Sequence, residues 1–202
     1  MANSHTSRRR FLQTVTGAVA VPTLVPGWAL GADGGVAASQ RITLGSIGVG
    51  SQGNSLLRRF LLFDTAQVVA VCDPYEHKRL SAKKTVETRY AGRSAAGSYR
   101  GCAAYNDFRE LIARDDVDAV VIASPGHWHA LQAIAAIRAG KDLYSEKPLS
   151  VTIDEGRAMC RAVRRHGRVF QTGTHMRSIA QVRFAGELVQ NGYLGKLHTV
   201  EV

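Results

Sequence analysis

Beyond residue 40 the chain alternates short apolar runs with longer segments of helical periodicity. Residues 41–47 and 67–72 are brief, largely apolar runs; residues 119–123 are apolar without a break, and 142–145 and 169–172 complete the set. Unbroken runs of this length mark strands covered on both faces, as a parallel sheet requires. Between them the periodicity predicts helices over 54–62, 75–90, 108–113 and 129–139. The third is short and could be capped by Asn106 or Asp107, and the fourth is apolar nearly all round, so it should be buried, with Gly140 ending it. Thr152-Ile153-Asp154-Glu155 reads as a capping box, opening a helix that stops at Gly167. Residues 91–104, rich in Gly, Ser and Ala, read as a loop. Strands alternating with helices specify an α/β fold, a doubly wound parallel sheet over residues 41–177.

The two ends of the chain read differently. Residues 178–191 form an amphipathic pattern with Ile179, Val182 and Val189 on one side, Gly192 ends it, and 196–202 begins a strand. The chain stops there in mid-strand, as a fragment or a shortened gene product would; the family resemblance given below implies that residues 178–202 open a second, α+β domain, truncated here. At the other end, Ser7-Arg8-Arg9-Arg10-Phe11-Leu12 precedes a mildly apolar stretch, 15–30, broken by Pro22 and Pro26. A membrane-spanning helix needs about 20 uninterrupted apolar residues. Residues 1–38 thus resemble a twin-arginine signal peptide and linker, cleaved between Gly31 and Ala38. The expectation is an exported, periplasmic protein carried folded by the twin-arginine machinery, its nucleotide loaded beforehand.

Composition excludes more than it assigns. A hydrophobic share of 45% with 21% charged residues is that of a globular chain. The formal charge of +10 would suit a nucleic-acid partner, but the cations are dispersed, usually beside acids, and no basic run is interleaved with aromatics. A solvated basic face, with no nucleic-acid partner, is the better reading. Cys72, Cys102 and Cys160 show no metal-ligand spacing; Cys72 reads as a small core residue, and the sequence names no disulfide pair.

The candidate chemistry begins at the first strand. It runs into Gly48-Val49-Gly50-Ser51-Gln52-Gly53, a G-x-G-x-x-G followed by a helix. In a Rossmann domain Gly48 would allow the tight turn, Gly50 the close approach of backbone to a diphosphate, and Gly53 the packing of helix on strand. The diphosphate would meet free amides at the positive end of the helix dipole. Asp73 ends the second strand twenty residues after Gly53, where a ribose-binding acid belongs, and its charge favours NAD over NADP. Lys78 and Arg79 stand close enough to soften that preference. Ligands in such sheets lie beyond the carboxyl ends of the strands. Those ends carry Ser124-Pro125-Gly126-His127-Trp128-His129, Glu146-Lys147-Pro148 and Gly173-Thr174-His175-Met176-Arg177. His127 and His129 alone do not make a metal site, and none is expected.

Four segments, GVGSQG, VCDPYEHKR, SPGHWHALQAIAAIRAGKDLYSEKPLS and FQTGTHMRS, resemble the glucose–fructose oxidoreductase/inositol dehydrogenase (Gfo/Idh/MocA) family over residues 41–202. The resemblance implies a dinucleotide domain followed by an open-faced sheet domain that binds a sugar or polyol, in a protein that assembles as a homo-oligomer at full length. It implies that Gly48, Gly50 and Gly53 hold the pyrophosphate of NAD and Asp73 the adenosine ribose. Pro125 and His129 would border the nicotinamide ribose, Glu146 the cofactor wall, and Lys147 would be the catalytic lysine reaching the substrate hydroxyl. Gly126 departs from the asparagine or aspartate common at its position. The activity implied is hydride transfer from a sugar or polyol; a glycosidase using transient oxidation shares this half, and a non-catalytic nucleotide-binding remnant is the third reading. The chain alone is expected to be inactive.

Overall fold

In the computed structural model residues 27–31, 36–95 and 98–201 are described. The chain divides at Ser39 into two units. Of the first, one helical turn, Gly27–Leu30, is described; the arginines of the export signature and most of the apolar run behind them lie outside the described residues.

The second unit is built on six strands: β1 (Ile42–Ile47), β2 (Ala66–Cys72), β3 (Ala103–Tyr105), β4 (Ala119–Ile122), β5 (Asp142–Glu146) and β6 (Phe170–Gly173). Every pairing is parallel and the order is β3-β2-β1-β4-β5-β6. The chain reverses its direction of travel across the sheet between β1 and β4, the point where α/β sheets bind ligands. β2 and β4 are buried almost throughout, with Val68, Ala70, Val71, Val120 and Ile122 at most 1% exposed. Their unbroken apolar runs are what two covered faces demand.

Among the described residues of this unit the α-helices are α1 (Ser51–Phe60), α2 (Glu76–Arg89), α3 (Ala91–Ala95), α4 (Phe108–Ile112), α5 (Gly126–Arg138), α6 (Ile153–His166) and α7 (Ala180–Gln190). Four expectations are corrected. Residues 91–104 are not one loop: they hold α3 and the start of β3, whose Ala-Ala-Tyr is too short and too poor in β-branched residues to announce a strand. Helix α5 is buried on one face only, through His129, Ala130, Ala133, Ala136 and Ile137, while Leu131 is half exposed. Residues 196–201 form no strand: they join none of the described strand pairings, and a strand exists only by pairing. Helix α1 starts three residues earlier than expected, taking Gln52 and Gly53 into its first turn. On α7 the apolar residues Val182, Phe184 and Val189 are all exposed.

Local signals behaved as their chemistry requires. Asp107 caps α4, accepting the Arg109 amide at 2.8 Å. At α6 the Thr152 hydroxyl accepts from the Glu155 amide at 3.2 Å and the Glu155 carboxylate accepts from the Thr152 amide, while Gly167 closes the helix in the left-handed region. Thr152→Ala is expected to cost about 0.5–2 kcal/mol of unfolding free energy in urea. Ligand affinity should not change, since the cap lies away from the cleft described below. Among the described residues no helix is long and apolar enough to cross a membrane.

Candidate functional site

The turn between β1 and α1 is dictated by glycine. Gly48 has φ of +79°, and a Cβ on it would lie 2.4 Å from the Ser124 backbone nitrogen, so no other residue fits. Gly53 is equally constrained for another reason: a Cβ there would sit 1.8 Å from the Gly48 carbonyl oxygen. Gly50 differs from both. Its backbone is extended, a Cβ on it would meet nothing within 4 Å, and as N-cap of α1 it leaves the first-turn amides without a side-chain acceptor. Room over the turn and uncapped amides are what an incoming diphosphate requires.

Asp73 closes the other side of this turn. It is buried, and its two oxygens accept the Val49 and Tyr75 amides, each at 3.0 Å. The carboxylate therefore shapes the glycine turn and the β2–α2 turn together, and each oxygen keeps a lone pair for a hydroxyl. Arg79 turns back onto the Asp73 and Pro74 carbonyls, at 3.4 and 3.2 Å, whereas Lys78 lines the cleft with its ammonium 4.4 Å over the Tyr75 ring. The cleft itself measures about 660 Å³, within the size of small-molecule sites. Gly48, Gly50, Asp73, Lys78, Pro125 and Trp128 are among its walls.

The floor includes Cys72, whose thiol burial pushes up to about 12, with the Asp73 carboxylate adding to the effect; this thiol stays protonated and is a packing group. Its Sγ faces the Asn106 carbonyl. All three cysteines are free, with Cys72 and Cys102 buried and Cys160 exposed.

At the carboxyl ends of β4, β5 and β6 the arrangement is layered. Pro125 stands on the cleft. His129 does not: its ring is 2% exposed, and its two nitrogens face the Pro148 and Ser124 carbonyl oxygens, each at 2.6 Å. His127, by contrast, is exposed, so the two histidines point to different environments. Glu146 is buried too, accepting from the Gln52 side-chain amide at 2.9 Å and from the Lys147 backbone amide at 3.3 Å. It thereby ties the end of β5 to the first turn of α1. His175 Nδ1 is 4.0 Å from the Glu146 carboxylate. Burial first, then that carboxylate, raises the Tyr144 phenol above its ordinary value. The Lys147 side chain is exposed and makes no hydrogen bond or ion pair among the described residues; the Lys147–Pro148 peptide is cis. A side chain at Gly126 would press within 3.0 Å of Pro148 Cγ.

The structure thus gathers Gly48, Gly50, Asp73 and Pro125 on one cleft, with Gly53 packed beneath it. His129 and Glu146 stand behind the walls, and Lys147 lies off the lining. Sequence reasoning missed the Asn106–Asp107–Phe108–Arg109 wall, which follows β3 directly. Recognition of β3 would have found it, since ligand sites lie at the carboxyl ends of strands. Gln52, the partner of Glu146, carried no sequence signal beyond its place inside the glycine motif.

The Gfo/Idh/MocA profile, described as an oxidoreductase family with an NAD-binding Rossmann fold, matches residues 42–174. The chain is 34% identical over 114 residues to a glycosyl hydrolase family 109 protein of Solibacter usitatus, covering 56% of this chain and 26% of that one. A protein of the same description from Saccharopolyspora erythraea is 37% identical over 118 residues, covering 58% and 25%. Among solved structures, scyllo-inositol dehydrogenase from Lactobacillus casei, with bound NAD(H) and scyllo-inositol, superposes with a TM-score of 0.64 at 26% identity. The match covers 77% of this chain and 43% of that one. Myo-inositol 2-dehydrogenase from Lactobacillus plantarum gives a TM-score of 0.66 at 24% identity, over 78% and 43%, a likeness of fold. The chain therefore spans about a quarter of those curated relatives and less than half of those structures.

Proposed function

From the premise that this chain belongs to the Gfo/Idh/MocA oxidoreductase family with its NAD-binding Rossmann fold, we propose that it is the dinucleotide-binding part of an NAD-dependent oxidoreductase acting on a sugar or polyol. The observation that carries the reading is the open turn at Gly50 flanked by the buried Asp73 carboxylate. Gly48, Gly50 and the first-turn amides of α1 would hold the diphosphate, and the free lone pairs of Asp73 the adenosine ribose. Pro125 and Trp128 would line the path toward the carboxyl ends of β4 and β5. When bound, nicotinamide supplies the hydride-accepting carbon, and the protein orients and stabilises around it. Lys147, on the segment after β5, would hold a substrate hydroxyl and the charge that develops on its oxygen.

Asp73→Ser tests the cofactor half. Loss of a charged hydrogen-bonding partner is expected to weaken NAD about ten- to a hundredfold in calorimetry, about 1.5–3 kcal/mol, and to relax discrimination against NADP. The effect should fall at the upper end, because the same carboxylate also holds the Val49 amide. Unchanged affinity for both dinucleotides would remove Asp73 from the site.

A second reading, a glycosidase that oxidises its sugar transiently, is favoured by the description of the curated relatives. Assay of the full-length protein separates the two: net NADH accumulation marks a dehydrogenase, and product release without it marks a glycosidase. Export belongs to the same proposal, residues 1–38 directing the folded protein to the periplasm by the twin-arginine route. Changing Arg8 and Arg9 together to lysine should leave precursor in the cytoplasm. Arrival of that variant in the periplasm would replace the assignment with a general secretory signal.

A further inference from the structure

His129 stands at the junction of two loops, the first of which, through Ser124 and Pro125, lines the cleft. One of its ring nitrogens lies 2.6 Å from the carbonyl oxygen of Ser124, in the loop after β4, and the other 2.6 Å from that of Pro148, in the loop after β5. Contacts continue outward from both ends. The Ser124 backbone abuts Gly48 so closely that a Cβ on the glycine would overlap it, and the Ser124 hydroxyl donates to Gln132 at 2.6 Å. On the other side Gly126, lacking a side chain, lets Pro148 close against the start of α5. A continuous line of backbone contacts therefore runs from the glycine turn through Ser124, the His129 ring and Pro148 to Lys147.

The ring is 2% exposed and lies between two carbonyl oxygens, each 2.6 Å from a ring nitrogen. Whichever nitrogen carries the proton donates to one loop while the rigid imidazole packs against the other, so a single ring sets the spacing of both.

We infer that His129 is a positioning residue, a strut whose ring, set between the Ser124 and Pro148 carbonyls, holds the loops after β4 and β5 in register beside the dinucleotide site. The inference rests on the functional reading above for the identity of that site, and on geometry alone for the strut. It gives the buried imidazole a role behind the wall of the cleft instead of a contact with the ligand.

The test uses the whole chain. His129→Gln, which can keep one of the bonds, should raise hydrogen exchange about tenfold or more in residues 123–128 and 147–150 together, with β1 and β2 unchanged. Loosening of one segment alone, or a uniform loss across the sheet, counts against it. NAD affinity of this variant should fall about tenfold; both loops loosened with affinity intact would remove the positioning role. Failure of the wild-type chain to bind NAD would instead strike the functional reading, and the exchange pattern would still decide the strut.

Discussion

Replacing Lys147 by alanine in the full-length protein is expected to lower turnover by about 10²- to 10⁴-fold, the range for a positioned proton-transfer or oxyanion group, while NAD affinity stays close to wild type. The structure separates these two quantities. The proposed diphosphate and ribose positions lie on the cleft that Gly50 and Asp73 line, and Lys147 is not on its lining. Its ammonium has no partner among the described residues, so removing it leaves no buried charge behind. The backbone that carries it is nonetheless fixed, by the Lys147 amide on the buried Glu146 carboxylate and by the Pro148 carbonyl against His129. A flexible stem on a fixed anchor suits a group that waits for substrate. Lys147→Arg should restore only part of the activity, because a planar fork does not reproduce the geometry of a compact ammonium. The cofactor dissociation constant and single-turnover hydride transfer must be measured on the same variant. If both remain at wild-type values, Lys147 is a surface lysine; if affinity collapses while chemistry per bound cofactor is normal, it is a binding residue.

What the sequence disclosed, and what it hid, follows from the range of the interactions involved. β1, β2 and β4 were legible because a doubly covered strand must be apolar throughout, and the caps at Thr152 and Asp107 because capping is decided within four residues. The glycine motif told its own story, since each of its three positions answers to a separate local constraint. β3 escaped because three residues, Ala-Ala-Tyr, become a strand only by pairing with β2, and no local preference marks that. With it went the Asn106–Arg109 wall. Asp73 was found by spacing, but its bonds to Val49 and Tyr75 were not, since they depend on how two turns meet. The same holds for Gln52 with Glu146, ninety-four positions apart, and for the His129 ring, whose partners come from two loops. A motif can say which residues gather; only the packed fold says which of them face the ligand and which hold the others in place.

Gly50→Ala and Gly53→Ala should have opposite signatures, although both alter the same motif by one methyl group. At Gly53 alanine ought to help, being favoured over glycine in a helix by about 1 kcal/mol. There, however, its Cβ would lie 1.8 Å from the Gly48 carbonyl oxygen, a backbone atom that cannot swing aside. Either α1 lifts from the turn or the turn deforms, a misfit of about 1–3 kcal/mol or more. Thermal unfolding should fall by several degrees, at roughly 2–4 °C per kcal/mol for a chain of this length, and NAD affinity should drop with it. At Gly50 the backbone is extended and the space above it empty, so alanine is tolerated and the melting temperature should hold or rise slightly, by the reduced freedom of the unfolded chain. Its methyl group would then occupy the ground over the α1 amides. Lost contact between those amides and a charged diphosphate should weaken NAD about ten- to a hundredfold in a protein as stable as the wild type. Calorimetry and thermal unfolding on the pair decide the matter. A Gly50→Ala variant that binds NAD normally would move the diphosphate off the turn, and a Gly53→Ala variant of undiminished stability would show that α1 does not pack on Gly48 as closely as described.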